Sequence, residues 1–465
     1  MKVTQYRFSL GFALACATLL TLSLAVSARA QTVTILAGFN GANGDSPNAV
    51  VQGTDGNFYG AALSGGAFGH GDVFRVTPTG EITAIYSFGC TQATCYVNEP
   101  YSMVLGSDGS LYGVSLYGGK SPGQGSIYRM TLDGEFSGVY TFSPNDGENP
   151  TSIAQSSDGN LFGTASNGGE FGHGTFFRIS TTGEVKGLHA FCSQPGCMDG
   201  EFPLSAIQGR DGNFYGVANQ GGANGYGAIF ELTAAGSYRV LYSFCSLPTC
   251  EDGGDPVSIV QDNDGNFFGT TLCCGGAEKF GTVFELTANH QFKHLYSFIP
   301  HIDGGEPTAG ATLANDGNLY GVNLYGGDGS GTIYEVTPQG DFSLLYTFTG
   351  NGDPYAPLFQ GTDGNFYGTT DPYSGYGTFF RLSNNLSPLV KTVPVAGPIG
   401  NPVLILGNNL TGSTSVTFNG VAASFTVESD TYIKAAVPAG ATTGMVSVVT
   451  PAGTLNSNPQ FVVTK

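Results

Sequence analysis

Between residues 33 and 383 the apolar and polar positions alternate in short runs that stop at Gly, Pro or Asp, and no window sustains a helical period. The runs are organised by a hexapeptide, Asp55-Gly-Asn-Phe-Tyr-Gly60. It returns in close variants from Asp108, Asp158, Asp211, Asp264, Asp316 and Asp363, seven copies at intervals of 47 to 53 residues. Its Asp-Gly start is a hairpin signal, because tight hairpin turns need positive φ and glycine supplies it. A proline and a short apolar run precede each copy, as in Pro256-Val-Ser-Ile-Val-Gln261, and the hexapeptide opens a second strand. A glycine-rich loop such as 65–71 leads to a third strand, Val73-Phe-Arg-Val-Thr77, and a further turn leads to a fourth, 82–88. Four short strands in a unit of this length make one blade of a β-propeller.

The count of parts predicts how the array closes. Third strands fall at 73–77, 127–131, 176–180, 229–233, 283–287, 333–337 and 379–383, but a fourth strand follows only the first six. Val33-Thr-Ile-Leu-Ala-Gly-Phe39 reads as an orphan fourth strand, so residues 33–39 are predicted to pair with 378–383. The expected fold is all-β: a seven-bladed β-propeller in residues 31–387, with blade seven closed by the N-terminal strand so that no sheet edge is left exposed. From residue 388 the repeat stops and charge becomes sparse. Short alternating strands at 403–406, 415–418, 424–427, 433–437 and 445–449 predict a C-terminal Ig-like β-sandwich in 388–465. The prolines at 388, 394, 398 and 402 suggest that it is an independent module.

The DGN[FL][YF]G hexapeptides, GG-x-x-G-x-G loops and Leu295-Tyr-Ser-Phe298-like strands of residues 33–383 resemble the tandem GloVer repeats of bacterial secreted proteins. Gly407-Asn-Asn-Leu410, Val416-Thr-Phe-Asn-Gly420, Val437-Pro-Ala-Gly440 and Thr450-Pro-Ala-Gly453 are similar to an IPT/TIG module, with Leu410 where that pattern has Phe. The first resemblance implies no catalytic residues, and the second implies a spacer or binding module.

Residues 1–30 read as a signal peptide. Lys2 and Arg7 precede an apolar stretch from Phe8 to Val26, and Ala28-Arg29-Ala30 has the form of a cleavage site. Cys16 follows Ala13-Leu14-Ala15, an imperfect lipoprotein box, and is read as an ordinary residue of that stretch. No transmembrane segment is expected after leader removal. The expected location is secreted or at the cell surface, with the periplasm as the alternative. The net charge of −19 becomes −22 without the three basic leader residues, and the net negative charge lies in 31–387, since Lys391, Lys434 and Lys465 outweigh Glu428 and Asp430 in 388–465. That excludes nucleic acid and anionic membranes as partners, since both need clustered Lys and Arg. It admits cations and basic ligands. Eight cysteines remain after the leader. Cys90–Cys95, Cys192–Cys197 and Cys245–Cys250 are expected as loop disulfides, while Cys273 and Cys274 either bridge each other or pair elsewhere.

No histidine, cysteine or nucleophile pattern forms a catalytic set or a zinc spacing. The hexapeptide acids are read as turn formers, because they lack the dense ligand ladder of a calcium loop. The third-strand position held by Arg75, Arg129, Arg178, Glu231, Glu285, Glu335 and Arg381 has no evident role from sequence. One acid stands just ahead of each first-strand proline: Asp45, Glu99, Glu148, Glu201, Asp255, Glu306 and Asp353. They are expected to gather on one loop face near a channel mouth, as solvated charges or as a weak cation site, calcium being the cation that carboxylates favour. The function expected is a monomeric, non-enzymatic binding or adhesion protein whose loop face recognises a glycan, a protein or a cation. The alternatives are a polysaccharide hydrolase or lyase on the same face, or a structural envelope component.

Overall fold

The computed structural model describes residues 31–90, 95–119, 123–180, 183–275, 280–300, 302–326, 329–350, 352–371 and 375–464, so the leader lies outside the described residues. Its regular structure is β throughout, apart from single 3-10 turns at Pro195–Cys197 and Pro248–Cys250. Six consecutive four-stranded antiparallel sheets span 45–87, 95–141, 148–190, 201–243, 254–297 and 312–347. A seventh joins three strands of 359–383 to the N-terminal strand Thr32–Gly38. That strand runs antiparallel to Thr378–Ser383, from Thr32 opposite Ser383 to Gly38 opposite Thr378.

The hexapeptide builds each sheet from its turn outward. Asp55 accepts hydrogen bonds from the Asn57 N–H at 3.1 Å, the Asn57 amide at 2.6 Å and the Tyr59 hydroxyl at 2.7 Å. Gly56 takes the φ of +80° that the turn requires. The carboxylate is thereby used up by its own turn. Gly60, which ends the hexapeptide, lies opposite Phe74 of the third strand, and a Cβ there would stand 2.3 Å from the ring. The same pairing recurs in the second sheet, where a Cβ on Gly113 would meet Tyr128 at 2.3 Å, and in the remaining five. In each of these seven sheets the far end of a third-strand aromatic ring lies over the glycine of the strand beside it.

Neighbouring sheets are joined by apolar clusters, one at each junction. The junction of the seventh sheet with the first holds Phe39, Tyr367 and Phe379 against Val50, Phe58 and Phe74. A polar clasp reinforces five of the junctions. Gln52 donates to the Gly56 carbonyl of its own turn at 3.2 Å and accepts from the Thr362 N–H of the seventh sheet at 3.1 Å. Gln155, Gln208, Gln261 and Gln360 do the same for their neighbours.

The first strands of the sixth and seventh sheets are short, Thr312–Leu313 and Phe359–Gln360. Gly310 has a φ of +72° in one, and Pro357 removes a ladder donor in the other. The recurrent third-strand charge acts within its own sheet. Arg129 pairs with hexapeptide Asp108 at 2.9 Å and Arg178 with Asp158, whereas Glu231 meets Arg239 and Glu285 meets Lys293 at 3.1 Å on the adjacent fourth strand.

Residues 391–456 form two further four-stranded sheets around one core that includes Val403, Ile405, Val416, Phe418, Ile433, Val446 and Phe461. This unit lies against the hexapeptide turns. Leu406 packs in the cluster that joins the first and second sheets, Thr431 donates to the Thr54 carbonyl at 2.7 Å, and Arg210 donates to the Gln460 side chain at 3.2 Å. The proline series at its start therefore leads into a docked unit.

The N-terminal strand supplies both a hydrogen-bond ladder and part of the apolar cluster at the last junction. Removing residues 31–38 is expected to lower stability by more than about 4 kcal/mol, outside the usual range of single substitutions, and to promote self-association through the bared edge. Thermal unfolding with size-exclusion chromatography checks this. An unchanged melting transition in a monomeric deletion would contradict it.

Candidate binding face

The loops leading into the first strands and the glycine-rich loops after the second strands lie together. In the first sheet the Gly66 N–H donates to the Gly41 carbonyl at 2.8 Å. Each first-strand proline presses on the glycine that closes the preceding sheet's loop. A Cβ on Gly71 would meet Pro100 at 2.5 Å, and one on Gly377 would meet Pro47 at 2.5 Å. The residue before the proline is left-handed in six sheets: Ser46, Glu99, Asn149, Phe202, Asp255 and Glu306 have φ of 53° to 56°. Its N–H reaches back to the preceding sheet, as from Phe202 to the His173 carbonyl at 3.0 Å and from Asp255 to the Tyr226 carbonyl at 2.9 Å. This conformation is rarely populated by such residues and persists here because two sheets grip it.

The seven acids occupy two different positions on this frame. Glu99, Asp255, Glu306 and Asp353 directly precede the proline, and Asp45, Glu148 and Glu201 stand one residue earlier. The earlier position faces the neighbouring loop or strand. Glu201 meets His173 Nδ1 at 2.7 Å, Asp45 accepts from Ser64 Oγ at 3.1 Å, and Glu148 sits in register with Asn167. Asn98 holds the same place in the second sheet, 3.2 Å from His70. Burial raises the carboxyl pKa of Glu99, Asp255 and Glu306, with Asp255 also touching the Cys273 thiol.

Asp371, which the repeat pattern did not single out, joins this set. Its N–H donates to the Asp353 carbonyl at 2.7 Å. Burial raises its pKa, a hydrogen bond from Ser46 opposes this, and the charges of Asp45 and Asp353 add to the rise. Tyr355 lies close enough to feel Tyr325, Asp371 and Glu306. The acids of the sixth, seventh and first sheets thus share a surface with two tyrosines.

Aromatic exposure marks the same face. Phe68 is 64 %, Tyr355 52 %, Tyr376 48 % and Tyr325 47 % exposed, and Tyr226 and Phe171 follow. Among the described residues of 31–387, the large apolar side chains that stand out into solvent lie in these loops, except Ile35 and Leu344 and, near the end of a second strand, Tyr117. The signal was present in the loops, where Phe68 and Phe171 precede a Gly-His-Gly and Tyr226 and Tyr376 stand between two glycines.

Three disulfides stiffen the face, Cys90–Cys95, Cys192–Cys197 and Cys245–Cys250. Cys273 and Cys274 are unjoined, with their sulfurs 2.9 Å apart. Folding also brings His173, Cys192, Cys197 and Glu201 within 4.8 Å of one another, a grouping invisible from spacing. Both sulfurs belong to the disulfide there and offer no thiolate. Buried Asp252 and Asp303 hold the neighbouring loops by accepting the Ser246 N–H at 2.8 Å and the Ile299 N–H at 2.7 Å.

The profile of the Gloeobacter/Verrucomicrobia repeat matches residues 17–207 and 202–422, which is most of the chain. The chain belongs to the Gloeobacter/Verrucomicrobia repeat family. An IPT/TIG domain matches residues 388–463. No curated protein matches the sequence. Among solved structures, this repeat protein is similar to the extracellular domain of the proposed hybrid two-component system BT4673 of B. thetaiotaomicron. The identity is 11 % and the TM-score 0.51, over 92 % of this chain and 58 % of that one. It is also similar to puromycin hydrolase, at 12 % identity and a TM-score of 0.50, over 79 % of this chain and 59 % of that one. The chain therefore spans less than two thirds of either structure. These likenesses show an all-β, propeller-like fold.

The first repeat carries a buried acid beneath the face. The first residue of the third strand is a hydroxyl donor in several repeats, with Thr175 reaching the Asp146 carbonyl at 2.9 Å and Thr332 the Asp303 carbonyl at 3.0 Å. In the first repeat it is Asp72, fully buried with no partner for either carboxyl oxygen. Burial lifts its pKa to about 7. The unfolded carboxyl ionises near pH 4, so folding takes up a proton between about pH 4 and 7. Stability is full below this window and falls as pH rises through it. Asp72→Thr is expected to raise the melting temperature at pH 8, with the gain vanishing towards pH 4. The upper bound of the gain is about 4 kcal/mol, from about 1.4 kcal/mol per pH unit. Parallel melts of both proteins across this range check it. A gain independent of pH would contradict the assignment.

Proposed function

We propose that the chain is a secreted or surface-displayed binding protein, with residues 1–30 as its leader. Residues 31–387 form a seven-bladed β-propeller closed by its N-terminal strand, and 388–465 form an Ig-like sandwich. The observation that carries the reading is the segregation of exposed aromatic rings and enclosed carboxylates onto one loop face. The IPT/TIG domain occupies the turns. Aromatic faces flanked by carboxylates suit a polyhydroxylated ligand, since rings stack on the apolar sides of sugars while carboxylates accept from hydroxyls. A glycan is therefore favoured over a protein ligand, and the acids allow calcium to take part. An extracellular-domain neighbour and the loop disulfides support the location. No helix among the described residues is long and apolar enough to cross a membrane.

A panel of bacterial and plant polysaccharides, screened with calcium or with chelator, tests this. At least one is expected to be retained, and Tyr355→Ala with Tyr376→Ala is expected to weaken it about tenfold or more, or ~1.4 kcal/mol, without changing the melt. Retention that survives both substitutions would place binding elsewhere. Release of reducing ends from any polysaccharide would establish the hydrolase alternative instead.

A further inference from the structure

The other end of the ring holds a lysine in unusual surroundings. After the seventh sheet the chain passes beneath the turns. Asn384 donates to the Tyr320 hydroxyl at 2.9 Å and the Leu389 N–H to the Thr362 carbonyl at 3.0 Å. This path sets Lys391 at the start of the strand Lys391–Val393, opposite Leu406. Its side chain enters a cavity of about 330 Å³ between the inner strands and the IPT/TIG domain, walled by Val51, Leu105, Leu313, Phe359, Val393 and Pro459. The Nζ lies 3.7 Å from the centre of the Phe359 ring. Among the described residues it makes no hydrogen bond and no ion pair. Asp363 is the charged group that acts on it, and that carboxylate is already held by Asn365 and Tyr367.

A lysine that caps an aromatic ring at a surface keeps its charge in water. This one is enclosed, although it still lines the open space of the cavity. Burial lowers its pKa to about 7, with Asp363 opposing. A free amine beside an apolar cavity large enough for a small molecule is the setting of imine-forming lysines. By contrast, Lys293 and Lys434 are more exposed and pair with Glu285 and Glu428.

We propose that Lys391 is a carbonyl-capture site, whose amine condenses with a small apolar aldehyde held between the inner strands and the IPT/TIG domain. The nitrogen lone pair forms a bond to the carbonyl carbon. The carbonyl oxygen takes the two amine protons and leaves as water, so no oxidant or reductant is consumed. The Phe359 ring then faces the imine nitrogen and favours its protonated form. The apolar walls select a hydrocarbon body and exclude sugars, so this site is independent of the loop face.

Benzaldehyde with sodium cyanoborohydride, applied to the full mature chain near neutral pH, traps the imine as a benzyl adduct for peptide mass mapping. Lys391 is expected to be labelled at least about tenfold faster than Lys186, Lys293 or Lys434, because an ordinary lysine, with a pKa of about 10.4, is almost wholly protonated there. The rate should rise through pH 7 and level off above it. Leu313→Phe, which narrows the cavity without touching the amine, should slow labelling of Lys391 and leave the other lysines unchanged. Lys391→Arg should abolish the adduct. Labelling spread evenly over the lysines, or absent from Lys391 in the folded protein, would overturn the proposal, as would a Leu313→Phe protein labelled at the original rate.

Discussion

Everything in the repeat region depends on one contact, the third-strand aromatic lying over the glycine that ends the hexapeptide. Strand interiors disfavour glycine, because it loses more chain entropy than other residues and offers no side chain to pack. Here the missing Cβ is the point. The ring of Phe74 occupies the space that a Cβ on Gly60 would take, and Tyr128 does the same over Gly113. The aromatic thus covers its neighbour strand and remains fully buried. It can then serve the junction with the preceding sheet, as Phe74 does beside Phe39 and Phe379 of the seventh. A β-branched residue in place of the glycine would force the ring out of its sheet and into the junction.

Once each sheet carries its aromatic ring over its glycine, neighbours pack as copies of one another. The glutamine clasp and the proline resting on the preceding loop act at opposite ends of the same junctions. Neither needs the loop residues between them, so the loops can vary. That separation explains how a highly repetitive chain carries an uneven face: cysteine staples in some repeats, tyrosines in others, and acids at two positions rather than one. It also leaves the turn end uniform enough to seat the IPT/TIG domain, whose docking encloses Lys391.

Much of this was legible in the sequence because it is local. The Asp-Gly turn, the strand order and the orphan strand at 33–39 are set by residues close in sequence, and the pairing of Thr32–Gly38 with Thr378–Ser383 followed from counting strands. The short first strands of the sixth and seventh sheets could have been anticipated from Gly310 and Pro357. What stayed hidden depends on meetings between distant segments. The acids looked equivalent because each precedes a proline, yet the residue directly before the proline is left-handed in six sheets and the one before it faces the neighbouring loop, and so Glu201 meets His173. The third-strand charges made no sense between blades because their partners lie within each sheet. The solitude of Asp72 and of Lys391 could not be read at all, since it is a property of what surrounds them.

The most direct measurement is a double-mutant cycle on the central contact, read by denaturant unfolding of the mature chain. Gly60→Ala should cost about 1–3 kcal/mol, the usual range for forcing atoms into a packed interior. In a Phe74→Leu background, where the space over residue 60 is open, the same change should cost much less. That difference is the coupling the account requires. Equal costs of Gly60→Ala in both backgrounds would mean that ring and glycine act independently, and would contradict the account of how these sheets hold together.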